Sequence, residues 1–361
     1  MKRILLSFNQ LNDSNGVARC AIAIANILAD RQNIEVTLCP LYKSEKITEK
    51  KLSPKVRLKT VFNFYFPGFA KFLSMFPSKW LYRWIFQKED FDIEIAFQYG
   101  IATYIIGSSK SHNGKKKFAW MHSYDEGVKY RKEYLNMDKV ICVSKSNKER
   151  LEKELGINNH VDFCYNPIND SLIVKQGQEP INLKSNRTLQ FVSVGRLNKV
   201  KGYNRLIDCM KKLCDNGYDC SLWIIGPGEE YDVLAAKIKN LGLKEHVILV
   251  GEQSNPHKYT AKADVFVCSS YIEGYSTACT EAILLGVPVI STPVSGAKEI
   301  IEAAHCGLIS KDMNTKALYE VMELLARNPQ MVIDWKNILK KTRYAFSQKA
   351  RVDKLYQILG I

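Results

Sequence analysis

The sequence predicts an α/β protein built from two doubly wound, Rossmann-like domains. Three observations predict it. Short apolar, β-rich runs alternate with segments of helical periodicity along most of the chain. That alternation is expected of parallel strands whose two faces are covered by helices. The strand-like runs are numerous enough for two sheets, and 361 residues suffice for two domains of ordinary size.

The elements follow in chain order. RILLSF (3–8) reads as a buried strand, and the polar loop NQLNDSNG follows it. VARCAIAIANILAD then carries apolar residues at helical spacing. IEVTLC, IEIAF, KKFAWM and KVICVS read as further strands, and VDFCYNP closes that set. TLQFVSVG, CSLWIIG, VILVG, DVFVCSS and VPVIST repeat the pattern. The boundary is expected near NPIND (166–170), which separates residues 1–168 from 169–345. The polar stretch KQGQEPINLKSNR is the linker candidate.

Composition narrows the class. The chain is 46% hydrophobic and 25% charged, as soluble globular proteins are. The apolar run of MKRILLSFNQ is too short for a secretory signal. The ten cysteines form no C-x-x-C pair, so reduced, packed thiols in a cytosolic protein are expected rather than zinc. The net charge is +15, and residues 1–168 hold 27 Lys and Arg against 17 Asp and Glu. A surplus of that kind suits acidic partners: nucleotide phosphates, anionic lipid or nucleic acid.

Ligands of open α/β sheets bind beyond the carboxyl ends of the strands, so the loops there are the candidate sites. In FVSVGRLNKVKGYNRLID a strand ends at Gly195, Arg196 follows, and Lys201 precedes Gly202 and a helix. That pair would face a diphosphate, with a helix N-terminus adding to the positive field; otherwise it is two surface cations. LWIIGPGEEYDVL lacks the dinucleotide fingerprint, and Glu229 and Glu230 fit first-turn partners of a helix dipole. In DVFVCSSYIEGYSTACTEAILLG, Gly274 keeps Glu273 in a loop, and Ser276 or Thr277 caps the helix that follows. Free backbone N–H groups there suit an anion. Glu281 lies one turn beyond Thr277 on the same face. Glu273 would accept hydrogen bonds from sugar hydroxyls and Glu281 from a ribose diol, unless Glu281 is simply solvated.

Taken together, GRLNKVKG, EGYSTACTE and GVPVIS resemble the donor-binding domain of retaining glycosyltransferases of family four, which have the GT-B fold. The resemblance extends over nearly the whole chain. ICVSKSNKERL resembles the last strand and helix of the family's first domain, YNPIND its hinge, and FSQKARVDKLYQILG the terminal helix that returns to the first domain, here about residues 346–361. The N-terminal site departs from the pattern. Asn15-Gly16-Val17-Ala18-Arg19 keeps one glycine and the arginine, while Asn15 replaces the first glycine and Ala18 a common acid. Asn tolerates the left-handed conformation better than most residues. FAWMHSYDEG places His122 after a strand, where the family has its active-site histidine.

The resemblance implies sugar transfer from a nucleotide diphosphate with retained configuration, and two domains that face a central cleft. Residues 169–345 would bind the donor, through Gly195, Arg196, Lys201, Glu273, Gly274, Tyr275, Ser276, Thr277 and Glu281, with Gly16 of the first domain also a donor-binding residue. Residues 1–168 would bind the acceptor, with Asn15, Gly16, Arg19 and His122 on that side. Arg196, Lys201 and the helix start near Ser276 would stabilise charge on the leaving diphosphate. Glu273 would orient the sugar with His122 opposite, and domain closure would expel water. No residue presents itself as a covalent nucleophile. A uridine nucleotide is the family default, and bacterial surface-polysaccharide transferases are the type resembled. No cofactor and no metal are expected: the DFD string (90–92) precedes a strand rather than following one. A non-catalytic partner subunit, a nucleic-acid or anionic-surface binder, and a phosphorylase or epimerase on a related fold are the rival readings. The intact donor motif speaks against the first, the absence of a nucleic-acid module against the second, and the absence of a lysine-bound cofactor signature against the third.

Residues 59–88 combine more than ten Phe, Trp and Tyr with Lys and Arg, interrupted too often for a spanning helix. They read either as an interfacial segment or as core and acceptor groove. A cytoplasmic protein, with peripheral contact to anionic membrane at the inner face and a saccharide or lipid-linked acceptor, is the matching expectation.

Overall fold

A computed structural model describes residues 1–11, 16–43, 51–86, 89–112, 114–122, 127–156, 159–183 and 187–361. The chain divides into two compact units: Met1–Ile168 with Arg351–Ile361, and Asn169–Ala350.

The first unit holds a seven-stranded sheet in the order β3-β2-β1-β4-β5-β6-β7. Its strands are β1 (Lys2–Phe8), β2 (Ile34–Pro40), β3 (Val56–Leu58), β4 (Ile93–Ala96), β5 (Lys116–Met121), β6 (Lys139–Cys142) and β7 (Val161–Phe163). All pairings are parallel. The central strands are buried along nearly their whole length, which is why they read as continuous apolar runs. The DFD string sits at the amino end of β4. Asp92 accepts the Arg3 backbone N–H at 2.7 Å, Phe91 enters the core, and Asp90 pairs with Lys115. Asp92 thus ties the start of β4 to β1, while Asp90 is an exposed partner of Lys115.

The second unit holds six strands in the order β10-β9-β8-β11-β12-β13. They are β8 (Leu189–Val194), β9 (Cys220–Ile225), β10 (Val247–Gly251), β11 (Val265–Cys268), β12 (Val289–Ser291) and β13 (Leu308–Ile309). Again every pairing is parallel. The strand order reverses between β8 and β11, so the loops after those two strands diverge around a crevice at the carboxyl edge. Those loops contain GRLNKVKG and EGYST.

Two expectations need correction. The polar stretch proposed as a linker lies within the second unit. Asp170–Gly177 is helical with Asn169 as its N-cap, and Gln176 is hydrogen-bonded to Asn255 and His257. Its first residues, 175–177, thus close a braced helix, and Lys184, Ser185 and Asn186 lie outside the described residues. Glu229 and Glu230 precede their helix, which begins at Tyr231, so the acid in its first turn is Asp232.

All ten cysteines are free, and nine are buried. Burial pushes the thiols of Cys39, Cys142 and Cys164 up to about 12, which leaves them as small apolar side chains.

Candidate functional site

The second unit assembles its site from the two loops at the switch point. β8 ends, Gly195 and Arg196 follow, and a short 3-10 turn, Lys199–Lys201, is capped by Asn198, whose side chain accepts the Lys201 N–H at 3.2 Å. Gly202 then takes a φ of +67°, and a Cβ there would lie 2.2 Å from the Ser269 carbonyl oxygen. Only glycine allows this approach. It holds the loop after β8 against the loop after β11, and the Ser269 hydroxyl closes the contact by donating to the Lys201 carbonyl at 2.8 Å.

Lys201 thereby meets Glu273. Its Nζ lies 2.6 Å from Glu273 Oε1, and the Ser270 hydroxyl donates to the same oxygen at 2.7 Å. Burial pulls the ammonium down, but the charge of Glu273 and its hydrogen bond outweigh that and hold Lys201 above the ordinary lysine value. The lysine is therefore a fixed cation. Ser193, Lys201, Tyr203, Ser269, Glu273 and Ser276 are among the residues lining a shallow polar recess.

Helix Thr277–Leu284 starts at the same place. Ser276 is its N-cap, accepting the Cys279 N–H at 3.4 Å. Thr277 is exposed, while Gly274 and Tyr275 are buried beneath the turn. Glu281, one turn on, is half-buried, and its Oε2 stands 3.4 Å from Nε2 of His257, whose Nδ1 lies 2.8 Å from Gln176 Oε1. Glu281 is thus braced rather than merely solvated. Arg196 is largely exposed and reaches Glu229 at 3.6 Å. An exposed pair of this kind holds its members loosely, leaving Arg196 free to turn toward an anion.

In the first unit, Gly16 opens helix Gly16–Ala29, and Arg19 is exposed in its first turn. Asn15 lies outside the described residues. His122 follows β5, as the sequence suggested. Its Nε2 is 3.0 Å from the Phe97 carbonyl oxygen. A carbonyl only accepts, so Nε2 carries the hydrogen and Nδ1 is left as an acceptor. Burial pulls His122 down to about 4, against the opposing effect of that hydrogen bond. Although part of its surface stays accessible, the ring is neutral at pH 7. Its chemistry is hydrogen-bond acceptance, not proton donation.

Two residues escaped the sequence reading. Arg205 is almost fully buried and donates to the Ser269 carbonyl from Nε at 2.9 Å and to the Ser270 carbonyl from Nη2 at 2.8 Å. It also bonds the Met313 carbonyl and lies over the Tyr271 ring at 3.8 Å. It is the anchor of the loop that carries Glu273. Its only signal was a position three residues after Gly202, where a charge reads as solvent-facing. His257 gave no signal, because its partner is 24 residues away in the chain. Among the described residues, no group of three or more His, Cys, Asp and Glu side chains is arranged to hold a metal ion.

Comparison with known proteins adds independent findings. The family model described as Glycosyl transferases group 1 matches residues 174–351, and that described as Glycosyltransferase Family 4 matches residues 14–172. The N-acetylgalactosamine-N,N'-diacetylbacillosaminyl-diphospho-undecaprenol 4-alpha-N-acetylgalactosaminyltransferase of Campylobacter jejuni is 32% identical over 63% of this chain and 61% of that protein. The N-acetyl-alpha-D-glucosaminyl L-malate synthase of Bacillus anthracis is 22% identical over 60% of this chain and 57% of that protein. The matches thus span little more than half the length of these relatives. Among solved structures, Anabaena HepE in complex with UDP and glucose superposes with a TM-score of 0.77 at 16% identity, covering 100% of both chains. Sucrose-phosphate synthase from Thermosynechococcus elongatus gives 0.78 at 16% identity, covering 99% and 98% of the two chains. At such identities the likeness establishes the fold.

Proposed function

The chain belongs to the family-four glycosyltransferases, with two Rossmann-like domains of the GT-B type, and on that footing we propose that it is a retaining, metal-independent glycosyltransferase. It would move a sugar from a nucleotide diphosphate, with uridine as the expected nucleotide, to a saccharide or lipid-linked saccharide acceptor in the building of a polysaccharide. The observation that carries this reading is the Lys201–Glu273–Ser270 cluster beside the N-terminus of helix Thr277–Leu284, at the switch point of a parallel sheet. The relatives' names and the UDP in the HepE complex agree with it.

The roles follow from the chemistry. In transfer, the bond from the anomeric carbon to the phosphate oxygen breaks and a bond to the acceptor oxygen forms. The acceptor's proton passes to the departing diphosphate. Negative charge grows on that diphosphate as the bond lengthens. Lys201, already a fixed cation, and Arg196, free to turn, would stabilise it together with the N–H groups at Ser276 and Thr277. Glu273 would accept hydrogen bonds from the transferred sugar, with Gly195, Gly274 and Tyr275 shaping the floor. Glu281, steadied by His257, would hold the ribose diol. The first unit would supply the acceptor side through Asn15, Gly16, Arg19 and His122, with Gly16 also reaching the donor and Nδ1 of His122 accepting from a sugar hydroxyl. A cytoplasmic place of work, at the inner face of a membrane, completes the proposal.

The test is turnover with a panel of nucleotide-sugars and a lipid-linked saccharide mixture, followed by proton NMR of the product. Acceptor-dependent release of one nucleoside diphosphate, with the donor's anomeric configuration kept, is the expected result. Inverted configuration would remove the retaining mechanism. A folded protein that turned over no donor would remove the enzyme reading.

A further inference from the structure

Residues 59–86 contain Lys59, Lys71, Lys79 and Arg83 and no Asp or Glu. Part of this segment serves the core of the first unit: Phe62, Phe69, Leu73, Leu81, Ile85 and Phe86 are buried together. The rest faces outward. Phe64, Phe66, Phe72, Phe76, Trp80 and Trp84 are between 36% and 56% exposed, and Met75 is 78% exposed. The outward rings touch one another in series. Ring centroids are 6.5 Å apart for Phe66 and Phe72, 5.4 Å for Phe72 and Phe76, 5.6 Å for Phe76 and Trp80, and 6.1 Å for Trp80 and Trp84. On helix Ser78–Phe86, Leu81 and Ile85 are buried, while Trp80 and Trp84 are exposed along with Lys79 and Arg83. The outer face of a surface helix is ordinarily polar, and a contiguous exposed apolar row marks a contact surface.

The charges specify the partner. Lys59 is engaged with Glu89 at 3.2 Å. Lys71, Lys79 and Arg83 are exposed, and none forms an ion pair among the described residues. A second copy of this face would bring those cations against their own equivalents, which disfavours pairing. Among the described residues no helix is long and apolar enough to cross a membrane, so contact with lipid would be at its surface. Indole and phenyl rings settle at the headgroup level, and cations beside them are drawn to an anionic leaflet.

We propose that the surface from Phe64 to Trp84 is a docking face for an anionic phospholipid bilayer, with Trp80 and Trp84 entering the headgroup region and Lys71, Lys79 and Arg83 meeting lipid phosphates. This stands on the surface itself and is independent of the donor-site reading. Its test therefore measures binding without turnover.

The full-length protein is floated with vesicles of phosphatidylcholine alone and of phosphatidylcholine mixed with phosphatidylglycerol. The protein is expected to float with the mixed vesicles and to stay behind with the neutral ones. Lys79→Gln and Arg83→Gln should each weaken binding by about fivefold, and raised salt should weaken it further. Trp80→Ala with Trp84→Ala should weaken it by about tenfold or more through lost apolar contact. The replaced side chains are exposed, so the unfolding midpoint should hold, and the two glutamine variants keep the aromatic row intact. Failure to bind mixed vesicles, equal binding to both kinds, or binding indifferent to all these variants would each overturn the proposal. A dimer abolished by the double tryptophan variant, in a protein that ignores vesicles, would assign the face to a second copy instead.

Discussion

His122 and Lys201 are two bases that the fold holds in opposite states. Lys201 is held charged because Glu273 is 2.6 Å away. His122 is held neutral because burial outweighs its one hydrogen bond, and its pKa falls from 6.5 to about 4. The sign of the resulting pH dependence follows. Between those two values the unfolded chain takes up a proton that the folded chain refuses. The stability contributed by the neutral ring is therefore complete above about pH 6.5 and is lost as pH falls toward about 4. The slope is at most about 1.4 kcal/mol per pH unit, and less because the ring keeps some accessible surface. Urea unfolding of the parent and of His122→Asn across this range should show the variant losing less stability on acidification. Parallel curves would mean that the ring titrates normally in the folded state. The place of His122 after a strand was legible in the sequence. Its tautomer was not, because the Phe97 carbonyl that fixes it lies 25 residues away.

At the scale of the element, the loop after β11 is held by what lies beneath it. Arg205 donates to the Ser269, Ser270 and Met313 carbonyls at once. Removing it strands buried acceptors, so Arg205→Met is expected to cost about 2–4 kcal/mol in chemical denaturation. Arg205→Lys keeps the charge but lacks the planar fork, and most of the loss should remain. Full rescue by lysine would show that charge alone anchors the loop. The motif glycines point to the same layer. Gly202 permits the approach to Ser269, and Gly226 permits one to Gly195, where a Cβ would lie 2.1 Å from the carbonyl oxygen. The sequence revealed these glycines as a pattern, and the geometry supplies their cause. It also revealed the long buried strands, whose apolar runs are unmistakable. It did not reveal β3 and β13, with three and two residues respectively. Runs so short carry no periodicity, and they exist only because a neighbouring strand offers a paired edge.

For the molecule as a whole, the chain leaves the first unit at Ile168 and rejoins it at Arg351. The returning segment is firmly held there. Leu355 and Leu359 are fully buried, Arg351 donates to the Asn166 carbonyl at 2.7 Å, and Arg31 lies over the Tyr356 ring at 4.2 Å. Leu355→Ala should cost about 2–5 kcal/mol, and deletion of residues 351–361 should lower the temperature at which the first unit's tryptophans lose their native fluorescence. A truncated chain that melted like the full one would show the segment to be dispensable. This return was readable only by resemblance, since nothing in a polar-faced helix announces which domain it joins. The aromatic segment was ambiguous for a different reason. Its rings divide between core and surface within single turns, and composition cannot separate them.

The loops after β8 and β11 are proposed to bind a nucleoside diphosphate. Calorimetric titration with uridine, guanosine, adenosine and cytidine diphosphates, on the parent and on Lys201→Ala and Glu281→Ala, tests this most directly. Selective binding of one nucleotide is expected, and uridine diphosphate is the expected one. Each substitution should weaken that binding by about tenfold or more, as loss of a charge-assisted contact does. Binding of none of the four by a folded parent, or binding that neither substitution alters, would contradict it.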